Sequence, residues 1–543
     1  MNAWLEHLPS LPVVVPLLAA ALMLLFPEHR RIPRLGLALV STLVQLVAAV
    51  AMLVLTTDAV PTFWPEGIGV YAIGGWSAPF GIVLVADRLS TLMLTLNAVL
   101  GLAVVVHSVA RWDRIGVHYH PLLQLLLMGL NGAFLTGDLF NLFVFFEILL
   151  AASYALLLHG GGVRRMKMAL HFVIVNLVGA FAFLLGVAML YSVFGTLNMA
   201  EIAARWTLLP ASDHGIASTG AAVLAIAFLI KAGSWPLNFW LPGAYSAASP
   251  PVAAAFAIAT KVGIYAILRL SSLVAPGASF GEGWLFALAI ATMLSGILGM
   301  LAARQLSRLI AHTVVLSSGT LLAAAGIGSP AMMAPALFYL AGSVMASGAF
   351  FMLAGMTERM RTASSAEADD ALLAAASYNA FSVGEPPAPH SPDAEVGIAI
   401  PAAMAFLGLN FVFCALLVTG LPPLSGFVAK VALAAAAIDA SSHPGIPPWH
   451  AWTLIATLLA GGLVGMIALT RAGMRLFWSV TGRNTPRLRV VEAAPLAFLI
   501  LICLALTVGA GPAMRYFDDT ARDLGKPDAY IRAVLGTHPR ERP

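Results

Sequence analysis

The chain has 543 residues, of which 60 % are hydrophobic and only 10 % charged, whereas a soluble domain carries about 25 % charged residues. That composition excludes a soluble globular protein. The formal charge of +4 would suit a nucleic-acid partner, but its distribution along the chain assigns it to membrane topology instead.

A helix needs roughly 20 apolar residues to cross a bilayer, and such runs recur along the whole chain. They predict about fourteen transmembrane helices, at 9–26, 35–57, 87–110, 120–137, 139–159, 168–194, 219–241, 250–272, 284–303, 308–328, 332–356, 398–438 (interrupted), 451–470 and 494–511. The runs are continuously apolar, without the alternation of a barrel strand, and helices satisfy their own backbone groups in lipid. The fold class is therefore an all-α polytopic membrane protein. Met1 to Ser10 holds no Lys or Arg, so the N-terminus reads as the start of the bundle rather than a cleavable signal. Cys414 and Cys503 both lie in apolar runs, which argues against a disulfide framework or a metal cluster.

Basic residues gather on the cytoplasmic side of membrane proteins. The odd-numbered loops hold seventeen Lys and Arg, from Arg30 and Arg31 through Arg164, Arg165 and Lys167 to Arg487 and Arg489. The even-numbered loops hold Arg205, with Arg88 and Arg269 at helix ends. Odd loops are thus expected in the cytoplasm and both termini outside. The tail, with Arg515, Arg522, Lys526, Arg532, Arg540 and Arg542, departs from the rule. An odd helix count would explain that, as would a tail folded on the membrane surface or on a partner.

Two loops are long. Residues 58–86 are rich in Gly, Pro and aromatics, and 357–397, rich in Ala, Ser and acids and ending in a Pro cluster, reads as a flexible linker. Two helices share an unusual design, a break at Pro with a Lys beside it: FLIKAGSWPLNFWLP, with Lys231 and Pro236, and TGLPPLSGFVAK, with Pro422, Pro423, Gly426 and Lys430. Paired interrupted helices in two halves of a transporter point to its ion site. The expected organisation is 1–110 (helices 1–3), a first repeat at 111–272 (helices 4–8), a second at 284–480 (helices 9–13) containing the linker, and 494–543 (last helix and basic tail).

Charges inside apolar helices are costly, about 2.5–3.5 kcal/mol on insertion scales, so they line pathways or pair with one another. Glu147 is such a residue, and the bland alternative is a structural ion pair. Asp138, at the start of the same helix, is either an N-terminal cap or part of a path. Lys231 stands where Pro236 frees backbone carbonyls. Lys261 is mid-helix and Lys430 follows the Pro-Pro break; the alternative for each lysine is a stem reaching an interface. His312 suits either packing or proton transfer, given an ordinary pKa near 6.5. His159 and His171 lie by the basic loop and read as ordinary. Trp235, Phe239, Trp240 and Tyr245 read as packing and interface anchors. No nucleotide loop or Cys/His metal spacing is present, so no cofactor is expected, and energy must come from an ion gradient or a partner.

The blocks LNGAFLTGDLFNLFVFFEILLAASYALLLHGG, KAGSWPLNFWLPGAYSAASPPVAAAFAIATKVGIYAILR and GLPPLSGFVAK resemble the D subunits of the Mrp-type (Pha, Mnh) multisubunit cation/proton antiporters. That family is similar to the proton-translocating subunits of respiratory complex I and of membrane-bound hydrogenases. The resemblance spans roughly 80–480 and implies fourteen helices, inverted five-helix repeats and broken helices 7 and 12. It also implies a proton relay in which the family's glutamate of helix 5 falls on Glu147. The lysines of helices 7, 8 and 12 fall on Lys231, Lys261 and Lys430, and a looser motif of helix 10 falls on His312. Where many relatives carry His and Lys in helix 11, this chain reads FYLAGSVMASGAFF, with Gly342, Ser343 and Ser347, so water held by the two serines would have to bridge the relay there. The function implied is a proton-translocating subunit of a Na⁺ or K⁺/H⁺ antiporter in the bacterial cell membrane, reliant on partner subunits. The alternatives are a pumping subunit of a complex I-like or hydrogenase assembly, or a structural scaffold subunit, the last opposed by four charges in apolar helices.

Overall fold

The computed structural model describes residues 3–27, 29–57, 63–274, 282–381, 402–442, 446–477 and 488–536. Helices dominate, as composition requires. Twelve of them, among the described residues, are long and apolar enough to cross a membrane. The other two expected spans appear as the shorter helices Leu11–Leu24 and Tyr119–Leu135. The expected helix 7 is two helices, His214–Ala232 and Trp240–Ala247. The expected helix 12 is likewise two, Ala402–Thr419 and Ser425–Ala440.

Burial locates the axis of the molecule. The spans Pro250–Leu273, Leu306–Ile327 and Pro330–Glu358 are 100, 89 and 94 % buried over their most apolar windows, against 33 % for Val163–Phe194. Three helices therefore form a central column, and the others wrap it and turn an apolar face outward. Close helix approach depends on small residues. At Gly129 an added Cβ would stand 2.8 Å from the backbone nitrogen of Leu149, which brings helix Leu139–Leu158 directly against Tyr119–Leu135.

The connections sort onto two faces. On the basic face Asp113 pairs with Arg31 and lies 3.6 Å from His120, Arg489 donates to the Ala110 carbonyl at 2.8 Å, and Arg164 reaches Gln305 at 2.8 Å. All of these residues belong to odd-numbered connections or the helix ends beside them. The opposite face carries a two-stranded antiparallel hairpin, β1 (Gly69–Ala72) and β2 (Val83–Ala86), with Gly69 opposite Ala86 and Ala72 opposite Val83. So the described part of the 58–86 loop is ordered; residues 58–62 lie outside the described residues.

The tail folds back on this hairpin face as Ala510–Leu524 and Pro527–Leu535. Its basic residues are balanced: Arg515, Arg522, Lys526 and Arg532 share the two helices and the turn between them with Asp518, Asp519, Asp523 and Asp528. Arg532 pairs with Glu66 at 2.9 Å, and Asp519 and Asp523 take Arg88 at 3.1 and 2.9 Å. The described tail is thus a neutral element docked on its own chain; Arg540 and Arg542 lie outside the described residues. The 357–397 segment differs from its expected flexible form over its first part. Helix Met333–Phe381 runs through it, because an Ala-rich stretch has high helix propensity; residues 382–397 lie outside the described residues.

Asp113 offers a pH test of the basic face. Burial alone would raise its pKa, but the His120 ring nearby and the paired Arg31 hold it below the usual carboxylate range. A carboxyl lowered in the folded state adds stability above its unfolded pKa and loses it as pH falls through the folded value. Asp113→Asn is therefore expected to lower the thermal transition of the detergent-solubilised protein at pH 7, with the difference from wild type shrinking as pH drops below the carboxylate range.

Candidate functional site

Glu147 sits midway along Leu139–Leu158, a helix started by Asp138, whose side chain accepts from the backbone nitrogen of Asn141 at 2.9 Å. Asp138 is thus a cap, satisfying one of the free N–H groups of the first turn. Glu147 is half-buried, and its Oε1 is enclosed without a hydrogen-bond partner among the described residues. It lines a cavity together with Lys231, Asn176, Phe146 and Phe183. The cavity gives about 20 Å³ to the centre of a water molecule, and about 10–15 Å³ suffices for one.

Lys231 occupies the last turn of His214–Ala232, where the helix dipole favours a cation. Gly233, at φ +71°, ends the helix. The ammonium lies 5.8 Å from the centre of the Phe146 ring, a cation–π distance. No ion pair within 4 Å joins Lys231 to Glu147 among the described residues, so the pair shares a cavity rather than a contact. The break that follows is tied to helix Glu282–Ala302. Thr292 Oγ1 accepts from the backbone nitrogen of Trp235 at 2.9 Å and lies 3.0 Å from Ser234 Oγ, and Asn238 donates to Ser295 Oγ at 2.5 Å. These hydroxyls take up the Trp235 N–H and the Asn238 amide on the two sides of Pro236.

Lys261 lies in the middle of the span Pro250–Leu273, at the start of the helical run Lys261–Leu273, which joins Pro250–Ala259 through a Thr260 that is itself helical at φ −68° and ψ −26°. At Gly263 a Cβ would stand 2.4 Å from the Phe228 carbonyl oxygen, so only glycine lets this helix press against the one carrying Lys231. Lys261 is 1 % exposed. Its Nζ donates to Ser317 Oγ at 3.0 Å and Ser318 Oγ at 3.3 Å, and Ser317 in turn donates to Ser343 Oγ at 3.1 Å.

A second cavity continues from there. Ser317, Ser343, Ser347 and Tyr339 line it on one side and Leu417, Val418, Ser425 and Gly426 on the other. It gives about 20 Å³ to the centre of a water molecule, and the buried Ser425 Oγ has no hydrogen-bond partner among the described residues. Lys430 stands beyond, its Nζ donating to the carbonyl of Thr419 at 2.5 Å. That carbonyl closes the first half of the broken helix, so the ammonium satisfies an end that the break leaves open. Gly420 makes this possible: at φ +72° it lies so close beneath the lysine that a Cβ would stand 2.5 Å from Lys430 Cδ.

His312 stands apart. It lines neither cavity, and its ring covers Gly299, where an added Cβ would meet Nδ1 at 2.0 Å. His159 Nε2 lies 3.1 Å from the Trp112 carbonyl, and His171 lies 2.8 Å from the Lys167 carbonyl through Nδ1; both are local structural contacts. Trp240 is buried against Phe172 and Tyr245, while Trp235 and Phe239 face outward. Sequence reasoning missed Thr292, Ser295, Ser317, Ser318 and Ser425. The adjacent pair Ser317-Ser318 inside an otherwise apolar run was a readable signal; the single hydroxyls carried none.

Residues 136–377 match the family described as NADH:quinone oxidoreductase/Mrp antiporter, TM. The D subunit of a probable K(+)/H(+) antiporter of Rhizobium meliloti is 47 % identical over 542 residues, covering 98 % of both chains. The D subunit of the Na(+)/H(+) antiporter of Bacillus subtilis is 31 % identical, covering 97 % of this chain and 98 % of the other. Among solved structures, a chain of the Mrp complex from a Dietzia species superposes with a TM-score of 0.81 at 26 % identity, covering 98 % of this chain and 100 % of the other. A chain of respiratory complex I from Thermus thermophilus, at 23 % identity and a TM-score of 0.72 over 96 % of this chain and 99 % of the other, shares the fold.

Gly420→Ala is expected to lower thermal stability by about 1–3 kcal/mol, from a positive-φ side chain and from contact with Lys430. Combining it with Lys430→Ala should cost less than the sum of the two single changes, because the contact then disappears; additive losses in thermal denaturation would show that Lys430 does not rest on Gly420.

Proposed function

Because this chain belongs to the D subunits of the Mrp-type multisubunit cation/proton antiporters, we propose that it carries protons through the cell membrane for exchange against K⁺ or Na⁺, together with partner subunits. The relay runs from Glu147 and Lys231 through Lys261, Ser317 and Ser343 to Lys430. The observation that carries this reading is the hydrogen-bonded run from Lys261 to Ser317 and Ser343, which ends at a cavity reaching the broken helix of Lys430. The name borne by the relative at 47 % identity makes K⁺ the first cation to test.

The residues divide between two halves, 111–272 with Glu147, Lys231 and Lys261, and 284–480 with the serines and Lys430, which we read as inverted repeats within fourteen crossings. Coupling in the first half is electrostatic. Two unit charges 4 Å apart attract by about 4 kcal/mol at an effective dielectric of about 20, and by about half that at 8 Å. Glu147 and Lys231 lie beyond 4 Å, so a small approach of the carboxylate raises the proton affinity of the lysine and a retreat lowers it. In the second half lysine cannot accept while protonated, and serine both accepts and donates. Hydroxyls and a water in the cavity therefore stand where many relatives carry ionisable groups. The relay residues supply acceptors and donors for protons, and the exchange is carried out together with partner subunits.

Glu147→Gln and Lys231→Ala are each expected to abolish K⁺- or Na⁺-driven proton movement in everted vesicles while the complex still assembles on a native gel; near-normal exchange in either would refute the first half of the relay. Lys430→Arg should impair turnover although the charge is kept, since a guanidinium does not release its proton near neutral pH, whereas His312→Gln should retain most of it. The chain expressed without partner subunits is expected to insert but give no cation-dependent proton movement, and robust exchange by the isolated chain in liposomes would make it self-sufficient.

A further inference from the structure

The outer end of the helix that carries Lys261 is held by an arrangement the relay does not use. Lys261, Tyr265 and Arg269 follow one another at four-residue steps along Lys261–Leu273, so they share one side of the helix, and Arg269 lies about 12 Å above Lys261. Arg269 is 4 % exposed. Its Nη1 and Nη2 donate to Asp87 Oδ2 and Oδ1 at 2.5 and 2.6 Å, and Nη2 lies 3.3 Å from the Tyr265 hydroxyl. The guanidinium carbon stands 5.5 Å from the Tyr265 ring and 5.2 Å from the ring of Tyr530, so the cation is stacked on one ring of its own helix and one of the folded-back tail.

Each partner is anchored elsewhere. Asp87 caps helix Arg88–Ser108, accepting from the backbone nitrogen of Ser90 at 2.9 Å. Tyr265 donates to the carbonyl of Phe134 at 2.5 Å. Tyr530 is buried and its helix is pinned by Arg532 to Glu66, with Arg88 paired to Asp519 and Asp523 just beyond. The segment continues from Pro250–Ala259 through Thr260, whose own backbone is helical at φ −68° and ψ −26°. A tether on Arg269 is therefore carried along a rigid rod to Lys261, about two turns away.

We propose that Asp87, Arg269 and Tyr530 form a latch that holds Lys261 in register with Ser317 and Ser318, making the C-terminal helices positioning elements of the relay. The inference rests on the relay reading. Its physical basis is that the two lysine hydrogen bonds, at 3.0 and 3.3 Å, have no slack: a shift of about 1 Å breaks one of them, and displacements of that size cost up to about a hundredfold in rate. The groups facing Arg269 are Asp87, Tyr265 and Tyr530; those facing the Lys261 ammonium are Ser317 and Ser318, with no carboxylate within 4 Å among the described residues.

The test is exchange by the assembled complex in proteoliposomes, measured across pH for Tyr530→Phe, Tyr530→Leu and Tyr530→Ala beside Lys261→Ala. Tyr530→Phe keeps the ring and should match wild type. Tyr530→Leu keeps apolar volume but lacks the π face, and together with Tyr530→Ala should lower turnover about tenfold with an unchanged KM for the cation. The same two variants should move the pH profile toward acid, because an ammonium that loses hydroxyl acceptors holds its proton less well. Should Tyr530→Ala fail to assemble, Tyr530→Leu decides the matter. Wild-type turnover and profile in an assembled Tyr530→Leu complex, with Lys261→Ala inactive, would overturn the latch. An active Lys261→Ala complex would overturn the relay reading itself.

Discussion

The constraint on which the rest of this structure depends is the cost of placing a charge where no water can reach it. Three lysines and a glutamate stand inside a bundle whose central spans are nearly wholly buried, and two of the lysines are accommodated at helix breaks. Lys231 takes the last turn of a helix that stops short, Lys430 reaches across a glycine to the open carbonyl of a broken helix, and Lys261 donates to two serine hydroxyls instead. Helix ends supply partial negative charge without a second formal charge. A lysine held that way keeps its freedom to lose a proton, which a tight carboxylate partner would take away.

The same constraint explains why the breaks are stable. An interrupted helix exposes backbone groups that in lipid have no partner, and at the break after Lys231 the Thr292 hydroxyl takes up the Trp235 N–H while Ser295 holds the Asn238 side chain. Both hydroxyls belong to helix Glu282–Ala302, so a movement of the break is felt by that helix.

Much of this was legible from residue order alone. The spans, the two Pro breaks and the four charged positions follow from hydropathy and from the rarity of charge in apolar runs, signals that survive without any knowledge of packing. Glu147, Lys231, Lys261 and Lys430 were all readable in that way, and the breaks appear where Pro236 and Pro422-Pro423 stand. What could not be read depends on distances between segments remote in sequence. Nothing local tells that Ser317 rather than His312 faces Lys261, since the two differ only in which side of one helix they occupy. The tail read as basic because its arginines were counted without the aspartates beside them, and its docking onto Arg88 and Glu66 depends on partners more than 400 positions away.

The hydroxyls between the lysines have a direction. Lys261 donates to Ser317, Ser317 donates to Ser343, and Ser343 donates to the backbone carbonyl of Leu340 at 3.0 Å, three residues back in its own helix. An amide carbonyl does not carry a proton onward, so in this orientation the run of donors ends on the Leu340 carbonyl, at the edge of the cavity that Ser343 lines. Turning one hydroxyl about a single side-chain bond, from Leu340 toward the cavity that Ser425 also lines, would open it. Side-chain rotation takes place in picoseconds to nanoseconds where space allows, far faster than any movement of helices. The narrowest point of the path would then be set by the torsion of one serine, a switch with no moving backbone.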